Sequence, residues 1–176
     1  MVKDFPKHEK DLKMKKASIL KRMRDLEGGL EIIDELIGKY PKDNDLLNYK
    51  AFWYQYLNNK EEALKTIEIL IEREPENGIY IDTYGEILMA FSDYELAIEK
   101  FQRALELIPD SWYSYQTFIK LGICYRALDD YDSAFEHLMK GRDLIDQSPS
   151  DLETKQMWHS YAKPFIKEIE VLTEDF

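Results

Sequence analysis

The chain has 176 residues, 44% of them hydrophobic, with seven Gly, six Pro and a formal net charge of −11. That is enough apolar material for a buried core, and too little Gly and Pro for a fibrous or low-complexity chain. No apolar run nears the roughly 18 residues of a membrane span, none follows the basic start as in a secretory leader, and the single Cys124 excludes an internal disulfide, so a cytoplasmic protein is expected.

The charge is uneven. Residues 1–24 hold nine Lys or Arg against three acids, while the rest of the chain is strongly acidic. An acidic body argues against nucleic acid as the main partner, because phosphate contacts need a basic surface. The basic start, 7–24, reads first as a solvated helix face that balances the acidic body. The competing reading is a docking surface for an acidic protein, a membrane or nucleic acid. It lacks a wide apolar face with aromatic anchors, which weakens the membrane case.

Apolar residues recur at i, i+3, i+4 and i+7 along most of the chain, which predicts helices rather than strands. In 10–43, Ala17 and Leu20 mark a first helix, although Lys13 and Lys16 take places that are apolar later. Gly29, Ile33, Leu36 and Pro41 mark a second, with Gly28-Gly29 in the turn between them. In 44–77, Leu47, Ala51 and Tyr54 are followed by Ala63, Ile67, Leu70 and Pro75. In 78–111, Ile81, Tyr84, Gly85 and Leu88 are followed by Ala97, Phe101, Ala104 and Pro109. In 115–148, Phe118, Leu121, Gly122 and Tyr125 are followed by Ala134, Leu138 and Gly141, with Asp146 where the proline would fall. The segment 111–116, "SWYSYQ", adds three residues before this last copy and predicts a lengthened helix or an aromatic bulge. In the tail, 150–176, Ser150 and Glu153 are placed as a capping box. Trp158, Tyr161, Phe165, Ile169 and Leu172 trace one apolar stripe, and Pro164 is expected to kink or split the helix.

The second and third copies stand 34 residues apart, and the places of Ala97, Phe101 and Ala104 recur in register as Ala63, Ile67 and Leu70, as Ala134, Leu138 and Gly141, and more faintly as Gly29, Ile33 and Leu36. On these residues the chain resembles the tetratricopeptide repeat (TPR) family. The resemblance implies an all-α fold: a right-handed α-solenoid of about four helix-turn-helix repeats, 10–43, 44–77, 78–111 and 115–148, with a C-terminal capping helix at about 150–173, all in one domain, 1–176. Gly85 and Ala97 are expected to face each other at a close helix crossing, with Phe101 filling the gap beside them and Ala104 admitting the next repeat.

Catalytic features are sparse. His8, His137 and His159 are scattered and show no metal-ligand spacing with Cys124, which reads as a small core filler. No Gly-rich phosphate loop is present. No catalytic residue, cofactor or metal is therefore expected, and the chain is read as a non-enzyme. The resemblance implies a concave groove lined by the first helix of each repeat, and a function in holding a peptide or helical segment of a partner protein. The groove residues expected are Asn48, Phe52, Gln55, Tyr56, Asp82, Glu86, Met89, Gln116, Ile119, Ile123 and Arg126, with Asp45 at the rim and Asp11, Met14, Ser18 and Lys21 from the first repeat. Phe52, Met89, Ile119 and Ile123 are placed to grip apolar side chains, and Asp45, Asp82 and Glu86 to favour Lys or Arg, so the expected partner is neutral-to-basic and amphipathic. The basic clamp by which some TPR proteins hold acidic chaperone C-termini is missing: its places carry Met14, Ser18, Tyr49, Ile79 and Thr83. Two alternatives stand beside this reading. One is a small acidic TPR chaperone of a secretion or assembly system; the other is a structural scaffold that self-associates through its ends or the aromatic 111–116 segment.

Overall fold

Four short turns organise the chain. Three residues separate each first helix from its partner: Phe5–Arg22 (α1) from Leu26–Lys39 (α2), Asn44–Tyr56 (α3) from Lys60–Arg73 (α4), Gly78–Ala90 (α5) from Tyr94–Leu107 (α6), and Ser114–Ala127 (α7) from Tyr131–Gln147 (α8). A last helix, Leu152–Glu174 (α9), follows. The computed structural model describes residues 5–109 and 114–174, and among them every regular element is α-helical.

The middle residue of each turn adopts the left-handed conformation: Arg24, Asn58, Ser92 and Asp129 have φ between 56° and 64°. The next residue donates its backbone N–H to a carbonyl in the last turn of the preceding helix, Asp25 to Leu20, Asn59 to Tyr54, Asp93 to Leu88 and Asp130 to Tyr125, at 2.9–3.0 Å. This satisfies a carbonyl that the helix end leaves without an intrahelical partner. That residue then starts the next helix: the side chains of Asp25, Asn59 and Asp130 accept from the N–H of Gly28, Glu62 and Ser133. Four different sequences thus build one turn, because the backbone geometry needs only a tolerated left-handed residue followed by a short polar cap.

Proline sets where the second helices stop. α2, α4 and α6 end two residues before Pro41, Pro75 and Pro109. α8 has no proline at the corresponding Asp146, so it runs on and ends two residues before Pro149. The residue before a proline is pushed out of the helical region, which makes each stop steric.

The helices gather into two compact units, Met1–Pro75 and Glu76–Phe176. In the first, Ala17, Ile33, Leu36, Leu46 and Trp53 form the core. In the second, Tyr115, Ile119, Leu138, Ile145, Ala162, Ile166 and Ile169 do so.

The glycines show where helices come closest. A Cβ on Gly122 would lie 2.9 Å from the Ala134 carbonyl oxygen and 2.5 Å from Leu138 Cγ, so α7 and α8 meet almost backbone to backbone there. In α5 the corresponding Gly85 faces the Phe101 ring, 2.8 Å from such a Cβ, rather than Ala97. Gly141, in the register of Ala104, has Tyr115 and Ile119 of its own pair as its nearest neighbours. Gly28 and Gly29 are not in the first turn: they lie inside α2, and Gly29 makes room for the Trp53 ring, whose Nε1 donates to the Leu26 carbonyl at 2.9 Å. Gly38 meets nothing within 4 Å, and Gly38→Ala is expected to raise stability by about 0.5–1 kcal/mol through helix propensity. A rise in the urea midpoint at unchanged m value would show it.

The tail also differs from expectation. Asp151, not Ser150, starts α9: its carboxylate accepts from the Thr154 N–H at 2.8 Å and from the Thr154 hydroxyl at 2.9 Å. Pro164 does not split α9, which is continuous from Leu152 to Glu174. Pro164 is exposed, where water can take the freed carbonyl. The buried stripe is Ala162, Ile166 and Ile169; of the expected line, Ile169 belongs to it, Trp158 and Phe165 pack at its edge, and Tyr161 and Leu172 are exposed. Ser111, Trp112 and Tyr113 of the expected insertion lie outside the described residues.

Candidate functional site

Within the second unit, α5 and α7 are tied by a buried charge network. Lys120 of α7 is 4% exposed. Its Nζ donates to Asp82 at 2.8 Å and pairs with Glu86 at 2.7 Å, both on α5. The second Asp82 oxygen accepts from the Thr117 hydroxyl at 2.7 Å. The ammonium also sits 5.6 Å from the Phe101 ring centroid. Burial works to lower the Lys120 pKa, but the charges of Asp82 and Glu86 and their hydrogen bonds outweigh it and hold it above the usual lysine range. Asp82 and Lys120 are i and i+38 in sequence, and one repeat step brings them together.

Beside this network lies a row of aromatic rings on α9. Tyr115 and Trp158 meet edge to face at 5.9 Å between centroids, Trp158 and Tyr161 at 5.5 Å, and Tyr161 and Phe165 at 5.8 Å. Arg126 of α7 pairs with Glu168 and lies 5.9 Å from the Phe165 ring. Tyr161 is 45% exposed. Its partial burial and the nearby Glu86 charge raise its pKa, so the phenol is neutral and able to donate. In the sequence, Trp158, Tyr161 and Phe165 read as packing residues of a cap. Their spacing is visible there, but their lean away from the Ala162–Ile166 stripe is not.

The residues expected to line a groove fall into different environments. In the first unit, Asn48, Phe52 and Gln55 are half-buried and Tyr56 is exposed. Asn48 Oδ1 and Gln55 Oε1 are buried without a hydrogen bond among the described residues. Tyr56 packs edge to face on Trp53 and carries the Lys21 ammonium 4.3 Å from its ring centroid. In the second unit, Glu86, Met89, Ile123 and Arg126 are partly exposed. Gln116 donates to the Tyr115 hydroxyl at 3.2 Å. Ile119 is fully buried against Gly141 and belongs to the core. Asp82 is 8% exposed and both its oxygens are engaged, so it serves the network rather than an open surface. Of the first-repeat residues, Asp11 and Ser18 are exposed, Met14 packs on the core and Lys21 lies over Tyr56; Asp45 is exposed.

Reactive groups elsewhere are engaged or buried. Burial pushes the Cys124 thiol up to about 12, so it is an uncharged core group at neutral pH. His159 lies 3.0 Å from Asp146, and His137 Nδ1 lies 2.7 Å from the Ser133 carbonyl. Among the described residues, no three His, Cys, Asp or Glu side chains converge as metal ligands would. Among the described residues, no helix is long and apolar enough to cross a membrane.

Residues 79–147, the stretch that holds this network, match the tetratricopeptide repeat family. No curated protein matches the sequence. Solved structures similar in fold include MamA 41-end from Desulfovibrio magneticus RS-1, at 15% identity over 94% of this chain and 96% of that one, with a TM-score of 0.61. PcrH, solved in complex with the chaperone binding region of PopD, is 15% identical over 73% of this chain and 92% of its own, with a TM-score of 0.63. The Sgt2 TPR domain from Aspergillus fumigatus is 19% identical over 76% and 81%, with a TM-score of 0.61. With the repeated turns, the proline-stopped second helices and the glycine crossings, these likenesses give the chain an all-α helical-repeat fold whose residues 79–147 match the tetratricopeptide repeat family.

Proposed function

We propose that the protein is a non-enzymatic interaction module that holds a peptide or helical segment of a partner. The carrying observation is the exposed edge of the α9 aromatic row beside the α5–α7 charge network. Tyr161 offers an open ring and a neutral hydroxyl, Ile123 and Phe165 offer apolar surface, and Glu86 stays accessible at the rim of the network. Asp82, Glu86 and Glu168 face two cations, Lys120 and Arg126, so the face keeps a surplus negative charge. That supports a neutral-to-basic amphipathic ligand whose apolar groups meet the rings.

A labelled helical peptide of Leu and Lys, titrated into the whole chain and read by fluorescence anisotropy, tests this. Tyr161→Ala is expected to weaken binding about tenfold, in the range of an aromatic anchor, and Glu86→Gln by less. Equal binding of an all-Glu counterpart, or an unchanged Kd in Tyr161→Ala, sinks the reading.

The solved complex of PcrH with a PopD segment favours a more specific version, in which the protein is an assembly chaperone for its partner. In that case the partner should be insoluble when expressed alone and soluble when co-expressed with this chain.

A further inference from the structure

The basic first helix separates into two faces. On the inner one, Lys10 pairs with Asp43, Lys13 with Glu9 and Glu35, and Lys21 lies over Tyr56. These cations are engaged inside the first unit. On the outer one, Lys15, Lys16 and Arg22 are exposed and form no ion pair among the described residues. Their charges face solvent and are open to a partner.

Running between them is a line of open apolar side chains. Leu12 is 52% exposed, Ile19 55% and Met23 70%. Met23 follows α1 but still donates its N–H to the Ile19 carbonyl at 3.0 Å, so the line keeps helical geometry to its end. The steps from Leu12 to Lys16, Ile19 and Met23 are four, three and four residues, the spacing of a coiled-coil seam. Lys15 and Arg22 lie seven residues apart along one flank of that seam, where the facing helix places its own flanking charges.

We propose that the outer face of α1 docks an acidic amphipathic helix of a partner protein. The partner's apolar ridge would lie on Leu12, Ile19 and Met23, and its flanking carboxylates would meet Lys15 and Arg22, with the long Lys16 side chain reaching from the seam to the same carboxylates. This surface belongs to the first unit, and the proposal stands independently of the function proposed above. The occupant follows from charge and shape. A second α1 is repelled by like charge. Nucleic acid would leave the apolar line unused, because phosphate contacts are electrostatic. A membrane surface would gain only a one-residue-wide ridge of three half-exposed side chains without an aromatic anchor, less than the single acyl chain that already binds marginally.

The test titrates the whole chain with a labelled helical peptide carrying Leu at its seam positions and Glu on both flanks. The same peptide with Lys for Glu, and vesicles of mixed phosphatidylcholine and phosphatidylserine, serve as the comparison arms. The Glu peptide is expected to bind with an affinity that falls with salt, at least about tenfold more weakly to Lys15→Glu/Arg22→Glu and to Ile19→Glu. All three substitutions fall on exposed positions, and unchanged thermal unfolding confirms that the variants are folded. Tyr161→Ala should leave this binding intact. The proposal is overturned by equal binding of the Lys peptide, by an unchanged Kd in both variants, by binding to vesicles alone, or by self-association of the chain that the same substitutions abolish.

Discussion

Lys120→Met should lower the unfolding free energy by about 3–5 kcal/mol, the usual penalty for removing one partner of a buried ion network. The methionine fills the space, so the loss reports charge and not a cavity. It leaves Asp82 and Glu86 facing each other with only the Thr117 hydroxyl to help. Adding Asp82→Asn and Glu86→Gln to the same variant should recover most of the loss, because a neutral site has no uncompensated charge to desolvate. A pH series separates this from simple misfolding. The folded pKa of Lys120 is raised above its unfolded value of about 10.4. Its contribution is therefore complete below that value and is lost as pH rises through the higher folded pKa. The gap between wild type and Lys120→Met should hold constant through neutral pH and begin to close only above about pH 10. A deficit under about 1 kcal/mol would mean that the network is solvated.

Gly122→Ala is expected to cost about 1–3 kcal/mol net of the roughly 1 kcal/mol that alanine gains in helix propensity. The added Cβ meets the backbone at Ala134 and Leu138, at 2.9 and 3.0 Å, and backbone cannot rotate away. Gly85→Ala should cost less, because the Cβ meets only the edge of the Phe101 ring, which can tilt. The predicted order of stability is Gly38→Ala above wild type, then Gly85→Ala, then Gly122→Ala. Urea unfolding of the three variants checks it, and the reverse order for the last two would mean that the α7–α8 crossing is not the tightest.

The two proposed surfaces make different demands on a binding study. A Leu/Lys peptide and a Leu/Glu peptide should not compete with each other, and neither should respond to the substitutions that weaken the other. Charge distinguishes their ligands, since one face carries surplus carboxylates and the other carries lysines and an arginine that form no ion pair among the described residues.

Much of this is legible in the sequence because it is local or periodic. Helix spacing, the 34-residue step, the helix-stopping prolines and the small residues at crossings are all read along one chain, and backbone sterics give each a fixed meaning. What the sequence does not carry is three-dimensional aim. Gly28-Gly29 looks like a turn, yet an Arg in the left-handed conformation makes the turn, and Gly29 clears space for Trp53 one repeat away. Asp82 and Ile119 look like free lining residues on a helical wheel. Their burial depends on Lys120 reaching back from the next repeat and on Gly141 admitting Ile119, and no single-helix projection contains either fact. The sequence by itself determined the helices, their pairing and the small residues at which they cross. Only the tertiary structure decided which cations are paired inside the molecule and which, among the described residues, form no ion pair, because pairing depends on distances across helices that lie tens of residues apart along the chain.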